Sequence, residues 1–100
     1  MTRSPLPTAV ALATTGEIVW ANDAFAEISG RGTAVSGVRM GEIAPTFETG
    51  WLIKGQTAFP GELGIGKRQY HVFGSMVQSG AGQLMMLHFI DCTEFVRLRD

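Results

Sequence analysis

The segment Leu84-Met85-Met86-Leu87-His88-Phe89-Ile90 constrains the fold of this chain more than any other, because its apolar side chains fall on both parities of an extended strand. Successive side chains of a strand point to opposite faces of its sheet. A strand with one face in solvent is apolar on one parity only, so this one needs cover on both sides. One layer of short helices covers one face. The other requires a helix from a chain end or a second copy of the chain. Directly after the strand, Asp91-Cys92-Thr93-Glu94 has the spacing of a capping box in its Asp variant. Asp91 is predicted to accept from a backbone N–H near Glu94 while the Glu94 carboxylate reaches back to the cap. Phe95 and Leu98, three residues apart, share one face of the helix so begun. About two turns of helix do not stand alone in water, so this helix is expected to dock or to continue past Asp100.

Upstream, Pro5 and Pro7 hold the entry segment 1–7 extended. From Thr8 to Ala13, Val10 and Leu12 alternate with Ala9, Ala11 and Ala13, a period-2 strand pattern. Thr14-Thr15-Gly16-Glu17 supplies a turn in which Gly16 is able to take positive φ. Glu17 to Ala21 continues as a second strand, with Ile18 and Trp20 expected on one face, and the two strands form a hairpin. Either Asn22 or Asp23 caps a helix carrying Phe25 and Ile28, which Gly30 ends. Short turns follow at Met40–Ala44, stopped by Pro45, and between Gly50 and Gly55.

The remainder reads as strands. Glu62–Ile65 and Arg68–Phe73 flank Gly66-Lys67, a two-residue hairpin signal. Met76-Val77 continues the second of these strands past Gly74, where a bulge is expected. Ser79-Gly80-Ala81-Gly82 turns into the last strand. The order β-β-α-(short α)-β-β-β predicts an α+β domain, a five-stranded antiparallel sheet with short helices on one face.

With 45% apolar and 17% charged residues and a net charge of −1, the chain is globular and lacks the basic stripe of a nucleic-acid surface. No apolar run reaches the roughly 18 residues of a membrane span, so no direct membrane contact is expected. One cysteine, Cys92, excludes an internal disulfide and suits a reducing, cytoplasmic setting.

His71 and His88 are the only imidazoles, each within a predicted strand, and are the candidate metal ligands. A histidine in a strand is more often a surface or interface residue, and neither H-E-x-x-H nor a carboxylate–His cluster accompanies them. Gly64-Ile65-Gly66-Lys67 lacks the spacing of a phosphate loop. Cys92 near a helix start has no neighbouring His or resolving Cys in sequence. These absences predict a non-enzymatic domain. Trp20, Phe25, Ile28, Met40, Ile43, Phe47, Trp51 and Leu52 are an apolar set in and around the short helices, and core packing is their ordinary explanation. The same residues, with Phe73 of the facing strand, are also the candidate lining of a pocket for a flat apolar ligand.

Gly16-Glu17-Ile18-Val19-Trp20-Ala21-Asn22-Asp23-Ala24-Phe25, taken with the terminal Asp91-Cys92-Thr93-Glu94, resembles a PAS sensory domain from about Thr8 to Arg97. The resemblance implies an extended segment over 1–7, a PAS domain over 8–91 and the start of a signalling helix over 92–100. Trp20-Ala21-Asn22, Met40-Gly41-Glu42-Ile43-Ala44-Pro45, Arg68-Gln69-Tyr70-His71-Val72 and Leu87 to Phe95 resemble the degenerate PAS domain of bacterial membrane-anchored cyclic-di-AMP phosphodiesterases. In that family the PAS domain follows two transmembrane helices and precedes a degenerate GGDEF domain and a DHH/DHHA1 catalytic pair. It dimerises and takes up b-type haem. The likeness thus implies a homodimer, haem b, a downstream effector in the same chain and a membrane-anchored parent protein, with Asp91, Thr93 and Glu94 at the signal exit. PAS domains of histidine kinases and diguanylate cyclases share much of the pattern, and a ligand-free interaction module of that type is the alternative.

Overall fold

The computed structural model describes residues 6–80 and 82–99. Of the extended segment expected over 1–7, residues 1–5 lie outside this range, as does Ala81 in the turn after Ser79. Strands β1 (Thr8–Leu12) and β2 (Ile18–Ala21) lead into α1 (Asp23–Ser29). A 3-10 turn (Gly32–Val35) and two single-turn helices, α2 (Met40–Ile43) and α3 (Gly50–Ile53), follow. Then come β3 (Leu63–Ile65), β4 (Arg68–Ser79), β5 (Gly82–Asp91) and the exit helix α4 (Thr93–Arg99). The strands form one antiparallel sheet in the order β2-β1-β5-β4-β3, so the doubly apolar strand stands at its centre. This is the α+β architecture expected from the element order. Among the described residues no helix is long and apolar enough to cross a membrane.

In the first hairpin Gly16 turns the chain at φ 78°. Ala9 and Ala11 are the buried residues of β1, and their small side chains let α1 lie against the strand. Ala11 pairs with Ile18 but Val10 pairs with Trp20, so Val19 is an extra residue and the ladder bulges. A bulge inverts the side-chain parity beyond it. Ile18 is therefore fully buried while Trp20 is 52% exposed, and the expected common face of the two is corrected.

Asn22, rather than Asp23, caps α1. Its Oδ1 accepts from the Phe25 N–H (3.0 Å) and from the Thr8 N–H (3.0 Å), and its Nδ2 donates to the Leu6 carbonyl (2.8 Å). One side chain thus fixes both the helix start and the beginning of β1. Gly30 closes α1 in the left-handed region at φ 76°.

The core lies between the sheet and the short helices. Phe25 and Phe89 rings meet at 4.9 Å, and Tyr70 approaches Phe89 edge-on. Gly74 carries no bulge, because the β4–β5 register runs unbroken through its pairing with Leu87. Its role is a close approach. A Cβ there would lie 2.9 Å from Leu87 Cδ2, 3.0 Å from Trp51 Cη2 and 3.1 Å from the Met86 carbonyl oxygen. The Trp51 indole, anchored by Nε1 donating to the Glu48 carbonyl (2.6 Å), occupies the space a side chain would fill. Gly74→Ala is expected to destabilise the domain by about 1–3 kcal/mol through overpacking, read as a lower urea midpoint. An unchanged midpoint would mean that Trp51 and Leu87 give way without loss.

Candidate functional site

The junction between β5 and α4 is built from three consecutive residues acting on one partner strand. Cys92 donates its N–H to the Gln69 carbonyl (2.9 Å), and its own carbonyl accepts from the Val96 N–H (2.9 Å), the first bond of the helix. Thr93 is buried, and its Oγ1 accepts from the Gln69 N–H (2.9 Å) while the hydroxyl lies 3.4 Å from the Gln69 carbonyl. Both backbone polar groups of Gln69 are thereby committed to the helix start.

Asp91 Oδ1 accepts from the Thr93 N–H (2.9 Å), and its Oδ2 takes the Arg68 guanidinium as ion-pair partner. The expected reciprocal box with Glu94 is not formed. Asp91 caps Thr93, one position earlier than predicted, and Glu94 turns to Arg97 (3.5 Å) on the exposed side of α4. The cause is Arg68, which stands diagonally across the hairpin from Asp91 and draws the second carboxylate oxygen toward β4. Burial pushes the Asp91 carboxyl up, but the hydrogen bond from Arg68 and the contacts of Thr93 outweigh it and hold the group below the usual carboxylate range. The hydrogen bond and charge of Asp91 raise Arg68 in turn.

The second feature is the face of the sheet turned away from the short helices. Cross-strand rows on it read Trp20–Val10–Met86–Ser75, then Thr8–His88–Phe73, with Leu12–Leu84–Val77 on one side and Ile90–His71 on the other. Trp20, Phe73, Val77, Met86 and Ile90 all stand exposed there. Trp20 and Phe73 are therefore not lining residues of a helix-side pocket. The bulge at Val19 turned Trp20 outward, and strand parity places Phe73 between buried Val72 and Gly74. His71 and His88 lie on this outer face too. The Thr8 hydroxyl donates to the Leu6 carbonyl (2.9 Å), so at its 3.1 Å contact with His88 its oxygen accepts from Nδ1–H.

On the helix side Phe25, Met40 and Trp51 are fully buried, Ile43 and Leu52 are buried, and half-buried Ile28 packs against them. A cleft of about 340 Å³ opens beside this cluster between the first hairpin turn and the α2–α3 segment, lined by Ala13 to Gly16, Met40, Gly41 and Phe47 to Thr49. Of the expected pocket residues Met40 and Phe47 border it. The residues do not fit a haem held by an imidazole between sheet and helices, since both histidines project from the opposite face. Among the described residues no three His, Cys, Asp or Glu side chains come together as a metal site. Arg68, Gln69 and Thr8 carry contacts that the sequence reading did not single out. Their partners are fixed by strand register, and the only local signal was a basic residue at the start of β4.

A family model described as PAS domain matches residues 6–63, more than half of the chain. The chain belongs to the PAS domain family, whose members are sensory and signalling modules and generally non-catalytic. Among solved structures, it is similar to a domain of an HTR-like protein from Haloarcula marismortui, with a TM-score of 0.69 and 20% identity over 90% of this chain and all of that one. That likeness establishes the fold. No curated protein matches the chain.

Thr93→Val removes the acceptor of the part-buried Gln69 N–H and is expected to destabilise the fold by about 1–3 kcal/mol. Faster amide exchange at Gln69 and along α4 should accompany it, with Thr93→Ser close to the parent. Equal protection in all three would dismiss the tie. The depressed Asp91 carboxyl contributes stability that is present above the unfolded pKa of about 3.9 and lost as pH falls through the lower folded value. The stability difference between the parent and Arg68→Met is therefore expected to be flat from pH 8 to 5 and to shrink toward pH 2. A difference independent of pH would refute the pairing.

Proposed function

We propose that this domain is a sensory and dimerisation module that acts on an effector in the same chain through α4, with a second copy covering the outer sheet face. The observation that carries the reading is that face itself, a continuous apolar surface around the central strand. Exposed apolar patches of this kind mark interaction surfaces. The exit helix adds to it, because Phe95 and Leu98 are 63% and 86% exposed and three residues apart on one side. An apolar stripe on a helix this short is suited to continuing or pairing with its copy. A stimulus that prefers one of two arrangements of β4 against β5 would shift α4 through Gln69, since a ligand moves an equilibrium only by its differential affinity.

For the effector, the likeness of the Met40–Pro45 turn and the Leu87–Phe95 exit to phosphodiesterase PAS domains supports a cyclic-di-AMP phosphodiesterase, with the module on the cytoplasmic side. A second reading, an interaction module without a ligand of its own, is favoured by one observation: Phe25, Met40 and Trp51 are buried in the core beside the sheet, with at most 2% of their surface exposed. Sedimentation equilibrium separates dimerisation from its absence. The parent is expected to show a concentration-dependent dimer, and Trp20→Glu with Phe73→Glu should weaken it at least about tenfold while leaving the fold intact, since both side chains are exposed in the single copy. A parent that stays monomeric at high concentration would sink the dimer reading.

A further inference from the structure

We propose that the cleft between the first hairpin turn and the α2–α3 segment is a binding site for a small organic cation, an ammonium head on a short apolar body. The inference rests on the sensory reading above only for its consequence, since it names the stimulus. Binding itself is tested apart from that reading.

Gly41 is a glycine that packing does not require. It is the second residue of α2, its φ lies outside the left-handed region, and a Cβ built on it would meet nothing within 4 Å. Alanine is the better residue within a helix. Neither backbone conformation nor a close neighbour therefore calls for glycine here, in contrast to Gly74. Gly41 borders the cleft, and its missing side chain leaves that volume open. Gly16 borders it from the hairpin, where its φ of 78° does demand glycine. At about 340 Å³ the space is near the lower end of what ligand sites occupy, which suits a small molecule.

The two sides of the cleft differ in chemistry. Buried Met40 and half-buried Phe47 make one side apolar. Thr14, Thr15, Thr49 and Glu48 make the other polar. The Thr15 hydroxyl accepts from the Glu17 N–H (3.2 Å). The hydroxyls of Thr14 and Thr49 and the carboxylate of Glu48 make no hydrogen bond or ion pair among the described residues. Glu48 is held at its backbone, where its carbonyl accepts from the Trp51 indole (2.6 Å), so its side chain departs from a fixed point. It is the one ionisable residue lining the cleft, and neither Lys nor Arg borders it. A phosphate or carboxylate would meet this charge with nothing to compensate it. An ammonium gains Coulomb attraction and donates to the carboxylate and hydroxyl oxygens. Because Glu48 is exposed, that attraction is screened by water, and contact with Met40 and Phe47 supplies the rest of the affinity. Phe47 stacks on Phe59, whose ring meets Trp51 edge-on, and Trp51 lies over Gly74 of β4. A molecule held against Phe47 thus touches a ring cluster that reaches the sheet.

The experiment is a titration of the isotope-labelled chain with phenethylamine as its ammonium ion, followed by amide chemical shifts. Phenethyl alcohol and phenylacetate serve as probes with the same ring and a neutral or anionic head. Saturable shifts are expected at Thr14, Gly16, Gly41, Glu48 and Thr49, with the ammonium bound at least about threefold tighter than the alcohol and phenylacetate weakest. Glu48→Gln should lower the affinity for the ammonium to that for the alcohol. Gly41→Leu, which places a good helix former in open space, should abolish binding at an unchanged or higher melting temperature. Absence of saturable shifts at these amides overturns the site. Equal affinity for the three probes, or ammonium binding unchanged in either variant, overturns it as well. All of these outcomes leave the dimer reading standing, because sedimentation decides that separately, and a monomer that still binds the ammonium at the cleft sinks the dimer alone.

Discussion

From Tyr70 opposite Asp91 to Ser79 opposite Gly82, an unbroken run of cross-strand pairs holds β4 to β5. A slip of one residue would exchange the two faces of a strand against the rest of the sheet. Nearly every functional feature depends on this register. It places Gly74 beneath the Trp51 indole, Phe73 beside His88, Arg68 diagonal to Asp91, and Gln69 where Cys92 and Thr93 reach it. The steric fit at Gly74 specifies the register as strongly as any hydrogen bond does, because few other positions in β4 would admit an indole at that distance.

Period and punctuation made the elements legible in the sequence. Alternation in 8–13, the hairpin at Gly66-Lys67 and the two-sided apolar run in 84–90 identified the strands, and Asn22 and Gly30 bounded α1. What stayed hidden was anything that depends on one strand's position against another. The bulge at Val19 leaves no local trace, since Ile18-Val19-Trp20 is apolar throughout, yet it decides that Ile18 faces the core and Trp20 does not. Gly74 announced an irregularity, and the structure shows a different one, a close approach in place of an extra residue. The helix cap was placed one residue off because the pull of Arg68 on Asp91 crosses the hairpin. The helix-side candidates Phe25, Met40, Ile43, Trp51 and Leu52 did come together, as residues of this spacing on short helices must when they share one core. The two histidines were read as candidate ligands from chemistry alone, and only strand parity shows which face they occupy.

The two faces of the sheet differ in what they demand. On the helix side, Phe25, Phe89 and Tyr70 are closed into ring contacts with each other, and burial there is complete within one copy. On the outer side, burial is incomplete at the same strand that is most buried on its other face. At about 25 cal/mol per Å² of apolar surface removed from water, covering that face is favourable for any partner that brings no unpaired polar group.

Coupling between the outer face and the exit helix follows from where β4 residues stand. Gln69 and His71 are two residues apart on β4 and point to the same outer face, and Gln69 holds the start of α4 through its backbone. Tyr70, between them, turns inward to Phe89 and so reports on the core. A partner pressed against His71 and Phe73 would bear on the strand segment that holds the start of α4 through Arg68 and Gln69. A change in the core bears on it from the other side. The 68–71 segment takes part in both faces, and the Arg68–Asp91 pair and the Thr93 hydroxyl are the contacts that would have to lengthen for α4 to move. Of these, the ion pair is partly exposed and adjusts with little loss, whereas the Thr93–Gln69 bond is part-buried, on a buried Thr93, and costs more to break. The helix is accordingly expected to pivot about Thr93 rather than detach from β4.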